Sequence, residues 1–194
     1  YDINDPRRDL TIFASPKQFV EDGDEIIDWS KCTHPRANGK TLIPKRLYPE
    51  GKVFLAEVNP HFIRLADIML VYAEACNELN NPDEALIYLE KIRYRARGNK
   101  DFDPENAPLP KITERDKAKL RHIIWNERRF ELALENHRFF DLMRYEKVES
   151  GYATATMQKD GKTNFNYSRH GKYPIPETEV LISDGKIEQN DAWK

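Results

Sequence analysis

The chain has 194 residues, with 31 Lys and Arg against 33 Asp and Glu and a formal net charge of −2. This length suits one domain with a sizeable core. The near-neutral charge gives no electrostatic basis for binding nucleic acid. Charged residues make up 33% of the chain, and no run approaches the roughly 18 consecutive apolar residues of a membrane span. The composition therefore predicts a folded domain with a strongly solvated surface.

Metal-binding and redox motifs are missing from the sequence. The two cysteines, Cys32 and Cys76, have no metal-ligand spacing, and Cys76 falls in an apolar helical pattern that suits a small buried side chain. The five histidines form no H-E-x-x-H motif. The acidic turn 22–25 resembles a calcium loop, but Ile27 occupies the position where such a loop requires glycine. We therefore expect no metal site and no cofactor.

Three segments follow one another along the chain. Residues 1–58 alternate short apolar runs with Gly, Pro and Asp, which predicts loops and short strands near 10–13, 40–43 and 52–55. Residues 59–148 show helical periodicity, and residues 149–194 are predicted to be irregular. The expected fold is mainly α, with antiparallel helical pairs, long irregular loops and a few short strands.

The first helical pair is predicted over 61–79 and 83–97. Asn59 and Asn81 each precede a proline, which is the pattern of an N-cap followed by proline at the first helical position. Gly98 is a natural helix stop. Ala73 and Ala85 are twelve residues apart, as the small contact residues of a tetratricopeptide-type pair are. The same spacing also suits any tight helical hairpin.

The first helix of this pair is apolar on most of its circumference. One face carries Ala66, Ala73 and Cys76, and the other carries Ile68 and Leu79. A helix that is apolar all round is usually packed between neighbours on both sides. We therefore expect this helix to be sandwiched.

The second helical pair, predicted over 114–135 and 137–147, places acids in an apolar stripe. Thr113 and Asp116 mark its start, and Asn136 can take the left-handed conformation of its turn. Glu127 and Glu131 share the core-facing seam with aliphatic residues, and a buried carboxylate must be paired or neutralised. The sequence predicts that Arg138 and Arg144 of the next helix clamp these two acids.

A catalytic role for the acids has less support than a structural role. Glu131 and Glu135 are one helical turn apart, and paired carboxylates can hydrolyse glycosides. Acids four residues apart are common on helices, however, and Glu131 already fits the ion network. No set of nucleophile, base and orienting group can be assembled from the sequence. We therefore expect a protein that is not an enzyme.

Short motifs recur in a fixed order along the chain. Residues 5–8 read D-P-R-R, 63–67 read I-R-L-A-D, 72–75 read Y-A-E-A and 93–96 read R-Y-R-A. Residues 127–144 read E-R-R-F-E-L-A-L-E-N-H-R-F-F-D-L-M-R, 173–176 read Y-P-I-P, and Q-N follows at 189–190. This series resembles the SusD/RagB family of glycan-binding outer-membrane lipoproteins of Bacteroidetes. Three positions depart from the family pattern: Asp67 stands for Glu, Asn136 stands for Gly, and Pro-Gly is missing after Q-N.

The resemblance implies a nutrient-binding protein on the cell surface. Members of this family capture oligosaccharides or other nutrients and cap a SusC-like, TonB-dependent outer-membrane transporter. They are longer than this chain and carry an N-terminal lipid anchor, so the chain is expected to be the C-terminal part of such a protein. Membrane contact would then occur only through that upstream anchor. The alternative is a helical protein–protein interaction scaffold that has no ligand site of its own.

The irregular segments are where the resemblance implies a ligand site. Sugars bind to flat aromatic faces and to planar polar groups that pair with hydroxyls. Trp29 is the first candidate, with Asp28 and Arg36 nearby to bond hydroxyls. The alternative is that a loop aromatic only packs its loop onto the body of the protein.

Overall fold

A computed structural model describes residues 4–14, 33–34, 36–41, 61–103 and 108–194 of the protein. The chain divides into two compact units, residues 1–136 and 137–194. The described residues are mainly helical, as the sequence predicts. The first unit contains helices α1 to α4 and strands β1 and β2, and the second contains helices α5 to α8. Residues 40 and 41 of the strand predicted near 40–43 belong instead to a 3₁₀ turn, Gly39–Thr41, where the Asn38 side chain accepts from the Lys40 N–H at 3.0 Å. Residues 42–43 and the strand predicted near 52–55 lie outside the described residues.

The amino-terminal segment contains a short helix, α1 (Pro6–Thr11), which covers the first half of the strand predicted near 10–13, whereas residues 12 and 13 are a strand as predicted. Asp5 caps this helix by accepting a hydrogen bond from the Arg7 backbone N–H, and Pro6 stands at its first position. These signals outweigh the apolar run that suggested a strand. Strand β1 (Ile12–Ala14) follows and pairs antiparallel with β2 (Arg36–Asn38), which leads into a 3₁₀ turn, Gly39–Thr41.

The first predicted helical pair is confirmed as α2 (Leu65–Glu78) and α3 (Pro82–Ala96). Helix α2 begins four residues later than predicted, after Arg64, and the predicted cap at Asn59 lies outside the described residues. The Asn81 side chain caps α3 by accepting from the Glu84 N–H at 3.4 Å. Gly98 follows the end of α3 and has φ +74°, in the left-handed region that favours glycine. The predicted helix stop is therefore confirmed.

The core of the first unit lies where α2, α3 and α4 (Lys117–Glu131) meet. Ala73 and Ala85, the predicted contact residues, are both fully buried there, together with Leu89. The predicted close packing of the α2–α3 hairpin is therefore confirmed. The other buried members of this core are Leu70, Cys76, Ile92, Leu120 and Ile124.

Helix α2 exposes its second apolar face among the described residues. Leu65, Ile68, Val71 and Leu79 are between 49% and 79% exposed. They are three, three and eight residues apart, which are helical spacings, so they form one stripe on the side away from the buried Ala73. We call these four residues the α2 stripe. The prediction that α2 is sandwiched is therefore not met within the described part of the chain.

Helix α4 differs from its predicted bounds at both ends. It starts after Asp116, whose side chain accepts from the Lys119 N–H at 2.9 Å, and not at Thr113. It ends at Glu131, since Leu134 and Asn136 have φ of +64° and +65°. The left-handed turn predicted at Asn136 is confirmed. Leu134 is 48% exposed and does not belong to the buried seam.

The second unit contains short helices where the sequence predicted irregular structure. After α5 (Arg138–Glu146) come α6 (Tyr152–Lys159), α7 (Tyr167–His170) and α8 (Glu177–Ile182). A 3₁₀ turn spans Asp191–Trp193. Helix α7 has only four residues, which is too short to show a helical period in the sequence.

The Y-P-I-P and Q-N motifs bind to each other within the second unit. Gln189 accepts a hydrogen bond from the Ile175 N–H and donates one to the Ile175 carbonyl, both at 2.8 Å. Asn190 donates to the Tyr173 carbonyl at 2.7 Å. These side chains replace backbone pairing between two irregular segments. Among all described residues, none of the helices has the length and apolar character required to cross a membrane.

Candidate functional site

Glu127 lies at the centre of a buried ionic cluster in the first unit. Its side chain is 3% exposed. Arg7 from α1 donates to one carboxylate oxygen at 2.6 Å, and Arg93 from α3 donates to the other at 2.7 Å. Arg7 is also held by Asp5, with Nη2 and Oδ2 at 2.7 Å. Both oxygens of this buried carboxylate are thereby neutralised by charged hydrogen bonds.

Glu131 lies one helical turn further along α4 and contacts three arginines. It accepts hydrogen bonds from Arg64 at 2.7 Å, from Arg95 at 2.5 Å and from Arg7 at 3.2 Å. Its side chain is 2% exposed. Arg7 therefore bridges the two acids, and the cluster connects α1, the residue before α2, the end of α3 and the end of α4.

Glu135 and Lys40 extend the cluster towards the surface. Glu135 accepts from the Arg64 Nε at 2.7 Å and from the Lys40 Nζ at 2.5 Å. The same Lys40 ammonium donates to the Glu131 carbonyl at 2.6 Å. The 3₁₀ turn after β2 is thereby attached to the carboxyl end of α4. We call Asp5, Arg7, Lys40, Arg64, Arg93, Arg95, Glu127, Glu131 and Glu135 the arginine–glutamate cluster.

Two buried polar pairs also join α4 to α2. Arg128, 4% exposed, donates to the Asp67 carboxylate at 2.7 Å. Trp125 donates its indole N–H to Glu74 at 3.0 Å. The acids at positions 67 and 74 belong to the I-R-L-A-D and Y-A-E-A motifs, so these motifs contact the long α4 motif directly.

Two carboxylates of the cluster, Glu131 and Glu135, are held in their ionised form. Burial acts to raise the pKa of Glu131, but hydrogen bonds from Arg95 and Arg64 outweigh it, and the pKa lies below its ordinary value. Burial likewise opposes the hydrogen bonds of Glu135 with Arg64 and Lys40, and the pKa of Glu135 is also lowered. Arginine stays protonated in proteins. Ionised acids paired with permanent cations do not exchange protons near neutral pH, so the cluster is suited to structure and not to acid–base chemistry.

The lowered pKa values predict a loss of stability in acid. A carboxyl group with a depressed folded-state pKa contributes stability that is present above its unfolded value, here 4.5. That contribution is lost as the pH falls through the lower folded-state pKa. We expect the urea midpoint to change little between pH 7 and pH 5.5 and to drop below about pH 4.5. Glu131→Gln should show a shallower drop, and an equal slope in both proteins would contradict the assignment.

The predicted ligand residues are only partly within the described structure. Trp29 and Asp28 lie outside the described residues. Arg36 is the first residue of β2, is exposed and pairs with Ala14 in the two-stranded sheet. Their grouping into one site stays a prediction. Among the described residues, no group of three or more His, Cys, Asp or Glu side chains could hold a metal ion.

The predicted burial of Glu127 and Glu131 is met, whereas four of their partners were not foreseen. Arg7, Arg64, Arg93 and Arg95 provide the charges. Arg138 and Arg144 belong to the second unit, where Arg144 donates to Asp141 at 3.3 Å, and their role at the two acids stays a prediction. The signal for the four arginines was present, because each lies in one of the short motifs.

The fold is that of a tetratricopeptide-like helical scaffold in which four of the short motifs meet in one buried ionic cluster. The SusD family matches residues 52–193, which is most of the chain. The chain therefore belongs to the SusD family.

Individual relatives agree with this assignment. SusD-like protein P2 of Formosa agariphila is 29% identical over 68% of the chain, and SusD-like protein P25 of the same organism is 33% identical over 68%. The chain spans about a quarter of the length of these two relatives, 25% and 24%. The crystal structure of a SusD homolog from Bacteroides thetaiotaomicron matches 97% of the chain and 41% of its own, with a TM-score of 0.62 and 24% identity. That likeness shows the fold.

Proposed function

We propose that the protein captures oligosaccharides or other nutrients at the cell surface and delivers them to a SusC-like, TonB-dependent outer-membrane transporter. The observation that carries this proposal is the arginine–glutamate cluster, in which four of the family motifs join α1, α2, α3 and α4. A scaffold that retains these contacts supports the same use as in its relatives. Attachment to the outer membrane would come from a lipid anchor, as the family resemblance implies.

The ligand site is proposed at Trp29, with Asp28 and Arg36. An indole offers a large flat apolar face for the C–H face of a sugar ring. A carboxylate and a guanidinium on either side can accept from and donate to neighbouring hydroxyls. Arg36 supports this placement because it is exposed and stands on a strand, which limits its movement.

Replacing Trp29 with Ala is expected to weaken glycan binding about tenfold or more, because a central aromatic contact is removed. The measurement is retardation in native gels that contain one polysaccharide each, from a panel of starch, xylan, laminarin and pectin. Phe62→Ala, at a residue that is 81% exposed, is the control and should migrate as the parent does. Retardation that is unchanged in Trp29→Ala, with an intact thermal transition, would overturn the site.

The α2 stripe supports a second candidate function, a protein-binding helical scaffold. Four aliphatic side chains without an intervening charge form an exposed surface that suits a protein partner. On this reading the chain contributes the contact with the transporter and has no ligand site. Co-purification with a transporter that is unaffected by any polysaccharide, together with no retardation in any gel, would favour this second function.

A further inference from the structure

The second unit contains a cleft that no motif or relative assigns to a ligand. Its volume is about 640 Å³, within the range of small-molecule sites. Tyr167, Ser168 and Trp193 line it together with Lys147 and Lys172. We call it the C-terminal cleft. Aromatic rings, a hydroxyl and ammonium groups therefore converge on one concave surface.

The aromatic residues of the C-terminal cleft are held in place by specific contacts. Trp193 donates its indole N–H to the Lys172 carbonyl at 2.9 Å, and the Arg169 guanidinium lies 4.5 Å from the centre of the Trp193 ring. The Tyr167 ring lies against Gly171, so closely that a Cβ added there would be 2.9 Å from the Tyr167 Cε2. Only glycine fits beneath this ring. The ring positions are thus fixed by the chain itself.

The segment that carries Trp193 is also anchored. Gln189 bonds both the N–H and the carbonyl of Ile175, and Asn190 bonds the Tyr173 carbonyl. These bonds hold the last turn of the chain against the Y-P-I-P segment. A ligand that enters the cleft does not have to order these walls, which reduces the entropic cost of binding.

The charges of the cleft leave two ammonium groups available. Lys194 is occupied by Glu188 at 2.9 Å and by Asp191 at 3.0 Å. Within the described part of the chain, neither Lys147 nor Lys172 has an acidic side chain within 4.0 Å. Both residues are exposed. Glu188 and Asp191 also line the cleft, and Lys194 and, as a smaller contribution, Lys172 lower the pKa of Asp191. Because both carboxylates are paired with Lys194, the ammonium groups of Lys147 and Lys172 supply the positive charge beside the aromatic walls.

We propose that the C-terminal cleft binds an acidic saccharide, such as a short uronic acid oligomer. Ring C–H faces would pack against Tyr167 and Trp193, hydroxyls would bond to Ser168, and carboxylates would pair with Lys147 and Lys172. A neutral sugar would leave both ammonium groups unused. This proposal rests on the proposed function, because it assumes that the protein meets glycans, but it concerns a different unit from Trp29.

The test measures binding of tetragalacturonate by titration calorimetry to three proteins: the parent chain, the double variant Lys147→Gln/Lys172→Gln, and Lys162→Gln as a control. Lys162 is an exposed lysine of the same unit that does not line the cleft. The double variant should bind about tenfold more weakly, since two exposed ion pairs are lost. The control should bind as the parent does, and raising the salt concentration should weaken parental binding.

A third variant examines the aromatic wall. Gly171→Ala leaves the charge unchanged but places a Cβ 2.7 Å from the Tyr167 carbonyl oxygen and 2.9 Å from its ring Cε2. The end of α7 and the ring must both shift, so we expect weaker tetragalacturonate binding at unchanged salt dependence. Thermal transitions of the lysine variants should match the parent because these lysines are exposed, whereas Gly171→Ala should lower the transition temperature. Should Gly171→Ala unfold the unit, the lysine variant still decides the outcome.

Further ligands distinguish an acidic-sugar site from a site for any sugar, from a general anion site and from the Trp29 site. Maltotetraose that binds as tightly as tetragalacturonate would overturn the preference for acidic sugars. Inorganic phosphate or tetraglutamate that competes equally would show a general anion site and would also overturn the proposal. Loss of tetragalacturonate binding in Trp29→Ala, with none in the lysine variant, would assign the ligand to the Trp29 site and reject the cleft. Absence of binding to every glycan, in calorimetry and in gels, would reject the proposed function itself.

Discussion

Replacing Glu131 with Gln is expected to lower the free energy of unfolding by about 3 kcal/mol, because the change removes the charge that neutralises buried guanidinium groups. Arg7 and Arg64 keep only 10% and 24% of their side-chain surface exposed, so water cannot replace the lost carboxylate. Glutamine preserves the shape of the side chain and one carbonyl acceptor. The loss therefore reports charge and not packing. Urea denaturation at pH 7 measures it.

A surface ion pair is the matched control for this prediction. Asp83 pairs with Arg115 at 2.9 Å, and their side chains are 72% and 60% exposed. Asp83→Asn should change the free energy of unfolding by less than about 0.5 kcal/mol. Glycan retardation by Glu131→Gln should equal that of the parent while the protein remains folded. A stable Glu131→Gln protein that fails to bind would instead place Glu131 at the ligand site.

The acids of α4 were predictable and their partners were not, for a physical reason. Helical periodicity is a local property, so the sequence alone shows that Glu127 and Glu131 face the core. Which arginine reaches them depends on the tertiary path of the chain, since Arg7 is separated from Glu127 by 120 residues. The nearest candidates in sequence were preferred for that reason. The presence of arginine in the three short motifs D-P-R-R, I-R-L-A-D and R-Y-R-A was the stronger signal.

Helix bounds that depend on local caps were predicted correctly, whereas a helix that depends on a tertiary contact was not. Asn81, Gly98 and Asn136 act within their own turns, and each was read correctly. The four-residue helix α7 depends on the Asn166 cap and on the Thr154 hydroxyl, which accepts from the Tyr167 N–H at 3.1 Å. A contact across 13 residues is not visible as a period. The Tyr167 ring packs against position 171, where only glycine fits. No repeat or motif in the sequence predicts this requirement.

Replacing Leu89 with Ala is expected to lower the free energy of unfolding by about 2–5 kcal/mol. Leu89 is fully buried between α2, α3 and α4, so truncation leaves a cavity that rigid helices cannot close. The position also tests the tetratricopeptide-like packing, since Leu89 follows the small contact residue Ala85 by one turn. Urea denaturation of the whole chain, followed by far-ultraviolet circular dichroism, gives the measurement.

Leu79→Ala is the same substitution at an exposed position of the α2 stripe. Leu79 is 79% exposed, so its truncation removes little buried surface and should cost less than about 0.5 kcal/mol. The comparison separates the exposed α2 stripe from the buried core between α2, α3 and α4 by their energetics. An equal loss at both positions would mean that the α2 stripe is covered within the protein, and it would remove the main support for the protein-binding scaffold. A small loss at Leu79 and a large loss at Leu89 would leave the stripe as a free surface and the α2–α3–α4 core as the source of stability.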